Sequence, residues 1–184
     1  MRIFGIDPGS ERTGYGCLES DGSRFRLITC GAVTAPRGAT FPEKLRAIHD
    51  GLVRLLARSR PDCAVVESVF HARNVHSALK LGHARGVAIL AASEAGLPVL
   101  EYSPAEIKRA VVGYGRAEKH QVQQMVKLLL GLDALPTPYD ATDALAAAIC
   151  HTHTAGVGRP TVVPAAGAGL RSWREYRPAA VPKA

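Results

Sequence analysis

Apolar positions along this chain follow two rhythms. Residues 2–7, 13–20 and 24–35 carry short apolar or alternating runs bounded by turn residues, which predicts three strands. "DPGS" (7–10) joins the first two and "SDGS" (20–23) the next pair, so the three form an antiparallel meander. From Pro42 to Arg60 the rhythm changes. Leu45, Ile48, Leu52, Leu55 and Leu56 recur at helical spacing, the mark of an amphipathic helix. "CAVVE" (63–67) is a continuous apolar run, as a strand buried on both faces requires. Asn74 to Ala95 reads as a helix with a stripe of small residues at Ala78, Gly82, Gly86 and Ser93. "PVLEY" (98–102) is a fifth strand, after which Ser103, Pro104 and Glu106 supply an N-cap, a first helical residue and a capping box. "GYGR" (113–116) separates that helix from the next, whose buried stripe is Val122, Met125, Val126 and Leu129. A last helix runs through "TPYDATDALAAAIC" (137–150) with Thr137 as its cap. After Thr154 the chain turns to Gly, Pro and Ala without periodicity, which predicts one domain over 1–154 and a flexible basic tail over 155–184.

The order of elements has a geometric consequence. The third strand of a meander runs parallel to the first, and a right-handed helical crossover then sets the fourth strand beside the first. The expected fold is α/β, a five-stranded mixed sheet flanked by helices. Asp7 and Glu67 would end neighbouring parallel strands, roughly 5 Å apart by strand spacing, at the edge where open α/β sheets bind ligands. Asp140 and Asp143 lie three apart, so both leave one face of the last helix near its start, beside Ala144 and Ala147 that would pack on the sheet. Each acid alone has a plain structural role. Asp7 can form a turn, Glu67 can end a strand at the surface, Asp140 can sit at N3 of a capping box and Asp143 can favour a helix N-terminus. Together they raise a different question, because two carboxylates about 4 Å apart repel by about 4 kcal/mol at the effective dielectric of a protein surface. A group of four needs cations, and hard oxygen ligands without His or Cys favour Mg²⁺ or Mn²⁺.

Composition narrows the setting. The 184 residues are 47% hydrophobic and 21% charged, the profile of one globular domain with a proper core. There is no apolar run of about 18 residues, and Arg2 leads straight into the first strand, so a cytoplasmic location is expected. Cys17, Cys30, Cys63 and Cys150 stand far apart in apolar runs, as buried free thiols do. The formal charge of +7 is regional: 151–184 hold five Lys/Arg against one acid, and Phe70 to Lys127 eight against four. A polyanionic partner fits that distribution.

"GIDPGSERTGYG", "VVESVFHARNVHSALKLGHARGVAI", "EYSPAEIKRAVVGYGRAEKHQVQQMV" and "DATDALAAAICHTH" together resemble the RuvC family of bacterial crossover junction endodeoxyribonucleases, from Arg2 to His153. The resemblance implies a ribonuclease H-like fold, a homodimer, a partnership with the branch-migration proteins RuvA and RuvB, and resolution of four-way Holliday junctions in recombination and repair with Mg²⁺ or Mn²⁺. The family's four catalytic acids fall on Asp7, Glu67, Asp140 and Asp143; at the position of Asp140 some members carry His. Phe70 matches an aromatic held to press against a base at the junction, and Lys108 and Lys119 match lysines near the DNA and the active site. Arg73, Asn74, Lys80, Arg85, Arg109 and Arg116 lie in the same basic region as candidate phosphate contacts. His83 and His120 receive no chemistry. The stripe Ala78, Gly82, Gly86 and Ser93 is the expected dimer contact.

The inferred reaction is two-metal phosphodiester hydrolysis. One ion generates the attacking hydroxide and the other stabilises the leaving 3′ oxygen, the two roughly 3.5 to 4 Å apart, giving 5′-phosphate and 3′-hydroxyl ends. A two-fold dimer would nick two strands of like polarity symmetrically. Two other readings stand beside it. "GIDPGS" also looks like the phosphate-cradling turn of actin-like phosphotransferases, although the chain is short for their two lobes and shows no second glycine-rich loop. A non-catalytic junction-binding module would be expected to lack some of the four acids, and all are present.

Overall fold

A computed structural model of the chain describes residues 1–68 and 74–154. Among the described residues ten elements follow one another: β1 (Arg2–Asp7), β2 (Arg12–Ser20), β3 (Phe25–Thr34), α1 (Phe41–Ser59), β4 (Cys63–Glu67), α2 (Val75–Glu94), β5 (Val99–Tyr102), α3 (Pro104–Val112), α4 (Lys119–Leu129) and α5 (Tyr139–Thr154). The sheet order is β3-β2-β1-β4-β5, the first three strands antiparallel and β1, β4 and β5 parallel. The meander and crossover read from the sequence produce this topology. The β2–β3 turn is closed by Asp21, whose carboxylate accepts the backbone N–H groups of Ser23 and Arg24 at 2.9 and 2.8 Å, while Gly22 supplies a φ of 101°.

Side chains alternate between two cores. Phe4, Ile6, Ala64 and Val66 pack with Ile48, Leu52 and Leu56 of α1 and Ala88, Ala91 and Ala92 of α2. Ile3, Cys63, Val65 and Leu100 face the other way, with Ile107 of α3, Val126 of α4 and Leu145 and Ile149 of α5. By this period of two, Asp7 and Glu67 fall on the α3–α5 side.

Glycines set how closely α5 lies on the sheet. Gly5 and Gly16 are paired across β1 and β2, and a Cβ on Gly5 would stand 1.9 Å from the carbonyl oxygen of Ala144. On Gly14, the partner of Asp7, it would stand 2.1 Å from the carbonyl oxygen of Asp140. The first turn of α5 is thereby set over the end of β1.

The cap expected for this helix is corrected. α5 begins at Tyr139, two residues past Thr137, and the Ala141 N–H bonds to the Pro138 carbonyl at 2.9 Å. Asp140 therefore falls in the first turn without a capping box to serve. The Ser103 cap of α3 forms as expected: its hydroxyl accepts the Glu106 N–H at 3.3 Å, and Glu106 accepts the Ser103 N–H at 2.7 Å. All four cysteines are free, and burial pushes the thiols of Cys17 up to about 11 and of Cys63 and Cys150 to about 12, so they stay protonated and inert at neutral pH. Among the described residues no helix is long and apolar enough to cross a membrane.

Candidate active site

Parallel pairing carries Ile3 to Ile6 alongside Cys63 to Val66, so Asp7 and Glu67 stand one step further on, at the C-terminal ends of adjacent strands. The two acids line a pocket of about 380 Å³ with Pro104, Ile107, Lys108, Lys119, Val122, Asp143 and Ala146. A larger cavity of about 460 Å³, between the C-terminal ends of α1 and α2, is lined chiefly by apolar side chains with Arg60 and Glu94. Chemistry, not size, singles out the smaller one.

Its electrostatics are those of carboxylates short of positive charge. Burial, reinforced by the carboxylates of Glu67, Asp143 and Asp140, pushes the Asp7 carboxyl up to about 8, with Lys119 opposing. Burial and then Asp143 push Glu67 up to about 7, against Lys119 and Lys108. Among the described residues no hydrogen bond reaches either carboxylate.

The two acids of α5 are each met by a cation. Lys119 reaches Asp143 at 2.6 Å, and Arg12 reaches Asp140 at 3.5 Å. Asp140 is not among the residues that line the pocket, so the expected gathering of four carboxylates is observed for three, with the fourth beside it. Among the described residues no three of His, Cys, Asp or Glu stand close enough to hold an ion as they are. Both α5 acids are instead turned towards basic side chains of the protein itself, Asp143 to Lys119 and Asp140 to Arg12.

The other residues singled out by sequence fall in several places. Lys108 is half-buried on the pocket wall, while Arg109 and Arg116 are exposed. Lys80 is exposed, with its Nζ 6.0 Å from the ring centroid of Phe41. Arg85 is turned inward to pair with Glu101 of β5. Asn74 caps α2, accepting the Ser77 N–H at 2.8 Å. Ala78, Gly82, Gly86 and Ser93 all lie exposed along α2. Phe70, Arg73 and the tail 155–184 lie outside the described residues.

Sequence reasoning passed over Arg12, although period-two spacing from Gly14 and Gly16 would have put it on the α5 side of β2. It also passed over a buried polar link: the Tyr102 hydroxyl lies 2.9 Å from His151 Nδ1 and accepts the Thr154 hydroxyl at 3.1 Å. Tyr102 is the β5 partner of Glu67, so this link ties the strand beside Glu67 to the helix that carries Asp143.

Residues 3–151 match the family model described as crossover junction endodeoxyribonuclease RuvC. A protein of that description from Chloroflexus aggregans is 52% identical over 155 residues, 84% of this chain and 94% of the relative. Another, from Alkalilimnicola ehrlichii, is 58% identical over 154 residues, 84% of this chain and 92% of the relative. Among solved structures, Thermus thermophilus RuvC in complex with Holliday junction substrate superposes with a TM-score of 0.84 at 36% identity, covering 89% of this chain and 99% of that one.

Proposed function

The chain belongs to the RuvC family of crossover junction endodeoxyribonucleases, with a ribonuclease H-like fold, and on that premise we propose that it resolves four-way Holliday junctions by hydrolysing DNA phosphodiester bonds at the pocket of Asp7 and Glu67. Its place is then in DNA recombination and repair, in the cytoplasm. One observation carries the assignment of the site: two carboxylates, without hydrogen-bond donors among the described residues, end adjacent parallel strands beneath a helix that brings two more.

The donor set fits divalent cations. It offers carboxylate oxygens only, and it holds Asp7 and Glu67 in surroundings that favour a neutral carboxyl unless positive charge is added. Asp7, Glu67 and Asp143, joined by Asp140, would hold two ions of Mg²⁺ or Mn²⁺. When bound, such cations lower the pKa of an attacking water and stabilise charge on a leaving 3′ oxygen. Lys108 and Lys119, from α3 and α4, put positive charge where the DNA backbone would lie over the pocket. Arg109, Arg116 and Lys80 would extend that contact from exposed positions, and Phe70 would press on a junction base.

The test is cleavage of a synthetic four-way junction in Mg²⁺, in Mn²⁺ and in EDTA. Paired nicks at symmetric positions with 5′-phosphate ends are expected in either metal and none in EDTA. Junction binding without cleavage in both metals would instead make the protein a binding module.

Symmetric nicking calls for a two-fold dimer, with RuvA and RuvB as the expected branch-migration partners. The outer face of α2 supports the dimer. Val75, Leu79 and Leu90 are exposed beside Ala78, Gly82, Gly86 and Ser93, which makes an apolar stripe of low relief on which a second helix can lie. A Cβ at Gly82 meets nothing within 4 Å, so Gly82→Leu leaves the protomer's packing alone and fills only the contact between copies. Sedimentation at low concentration should shift from dimer towards monomer; an unchanged coefficient with intact folding would move the interface elsewhere.

A further inference from the structure

Arg12 opens β2, two residues before Gly14 and four before Gly16, and strand alternation places all three on the side covered by α5. The two glycines let the first turns of the helix descend onto the sheet; Arg12, the next position outward, extends past that turn to Asp140. Among the described residues Asp140 is its single ion-pair partner, and it is the single partner of Asp140. The contact is the looser of the two at this site. It spans 3.5 Å against 2.6 Å for Lys119 with Asp143, and the Asp140 side chain is 33% exposed against 20% for Asp143, a geometry in which an ion pair is weakly held and open to exchange.

We propose that Arg12 is an exchangeable counter-ion of Asp140, a positioning residue that occupies this carboxylate in the metal-free protein and must release it before a divalent cation can share it. The proposal rests on the reading of the four acids as a metal site. It gives Asp140 a reason to stand outside the pocket lining while Asp7, Glu67 and Asp143 stand within it. It also explains how the pocket is bracketed. Lys108 and Lys119 approach from α3 and α4, and Arg12 from the β2 side, so a guanidinium released from Asp140 would face the DNA backbone opposite the two lysines.

The measurement is calorimetric titration of Mn²⁺ into the full-length, metal-free protein without DNA, comparing wild type with Arg12→Gln. Removing a competing cation should tighten Mn²⁺ binding, by about 3- to 10-fold at low ionic strength. In an Asp140→Asn background the same change should have no effect. A purely structural role for Arg12 would weaken metal binding, so the sign separates the two. Equal or weaker binding by Arg12→Gln, with wild-type binding still lost in Asp7→Asn, overturns the role of Arg12 alone. Wild-type protein that binds no Mn²⁺, or binds it equally well as Asp7→Asn, overturns the metal site and this proposal with it.

Discussion

Asp7→Asn should bind a four-way junction as tightly as wild type and cut it on the order of a thousandfold more slowly, the loss expected when several kcal/mol of metal-mediated transition-state stabilisation disappear. Asparagine keeps the shape at the end of β1 and removes the charge, so the fold and the basic surface around Lys108 and Lys119 are left as they were. The same substitution should reveal itself without DNA. A carboxyl at about 8 in the folded chain, against about 3.9 for a free aspartate, keeps its proton on folding across the interval between those values. Stability from that protonated form is fully present below about pH 4 and is lost as pH rises through the values of Glu67, about 7, and Asp7, about 8. Metal-free wild type should therefore melt at falling temperatures as pH is raised from about 4 and level off above about 8, with Asp7→Asn falling less steeply. Added Mg²⁺ or Mn²⁺ should flatten the wild-type curve, because cations replace the protons, and apparent metal affinity should rise over the same interval. A mutant that cuts at near wild-type rate would return Asp7 to the role of a turn residue.

The sheet was legible in the chain because its signals are local and repeated. "SDGS" fixes a hairpin, "CAVVE" tolerates only a position buried on both faces, and a parallel return after a helix has one usual hand, so Asp7 and Glu67 could be placed side by side from spacing alone. The last helix was legible in its inward face and not in its start. Thr137 has the chemistry of a cap and a proline after it, as Ser103 has, yet the helix starts two residues later, and nothing local in the sequence marks the difference. Tertiary partners were the least accessible. That Arg85 meets Glu101, that Asn74 spends its side-chain oxygen on Ser77, and that Arg12 and Lys119 divide the two acids of α5 all depend on elements distant in sequence or on cap geometry. The residues of a charged site can be read from a chain. Which basic side chain each acid faces is decided by packing.

Gly5→Ala should be the most damaging single-methyl change in the core. The added Cβ would lie 1.9 Å from the Ala144 carbonyl oxygen, 2.9 Å from its carbon and 3.2 Å from the Ala148 nitrogen, all backbone atoms of α5, so no side-chain rotation relieves the clash. The helix must rise off the sheet. Overpacking of this kind costs about 3 kcal/mol or more, which for a domain of this size lowers the melting temperature by roughly 10 °C. Gly14→Ala meets the Asp140 carbonyl oxygen at 2.1 Å and should behave alike. Gly16→Ala should be milder, because its nearest contacts at 2.5 and 2.6 Å are side-chain carbons of Leu145 that can shift. Function should follow the same order at temperatures where all three variants are folded. Lifting α5 carries Asp140 and Asp143 away from Asp7 and Glu67, and a displacement of about 1 Å at a catalytic constellation can cost about a hundredfold in rate. On the proposed contact through Lys108 of α3 and Lys119 of α4, junction binding should change little. Thermal melts and single-turnover cleavage of the three variants decide the matter. If Gly5→Ala melted within a degree or two of wild type, or fell below Gly16→Ala in its effect, the close seating of α5 on glycine would not be what holds the four acids together.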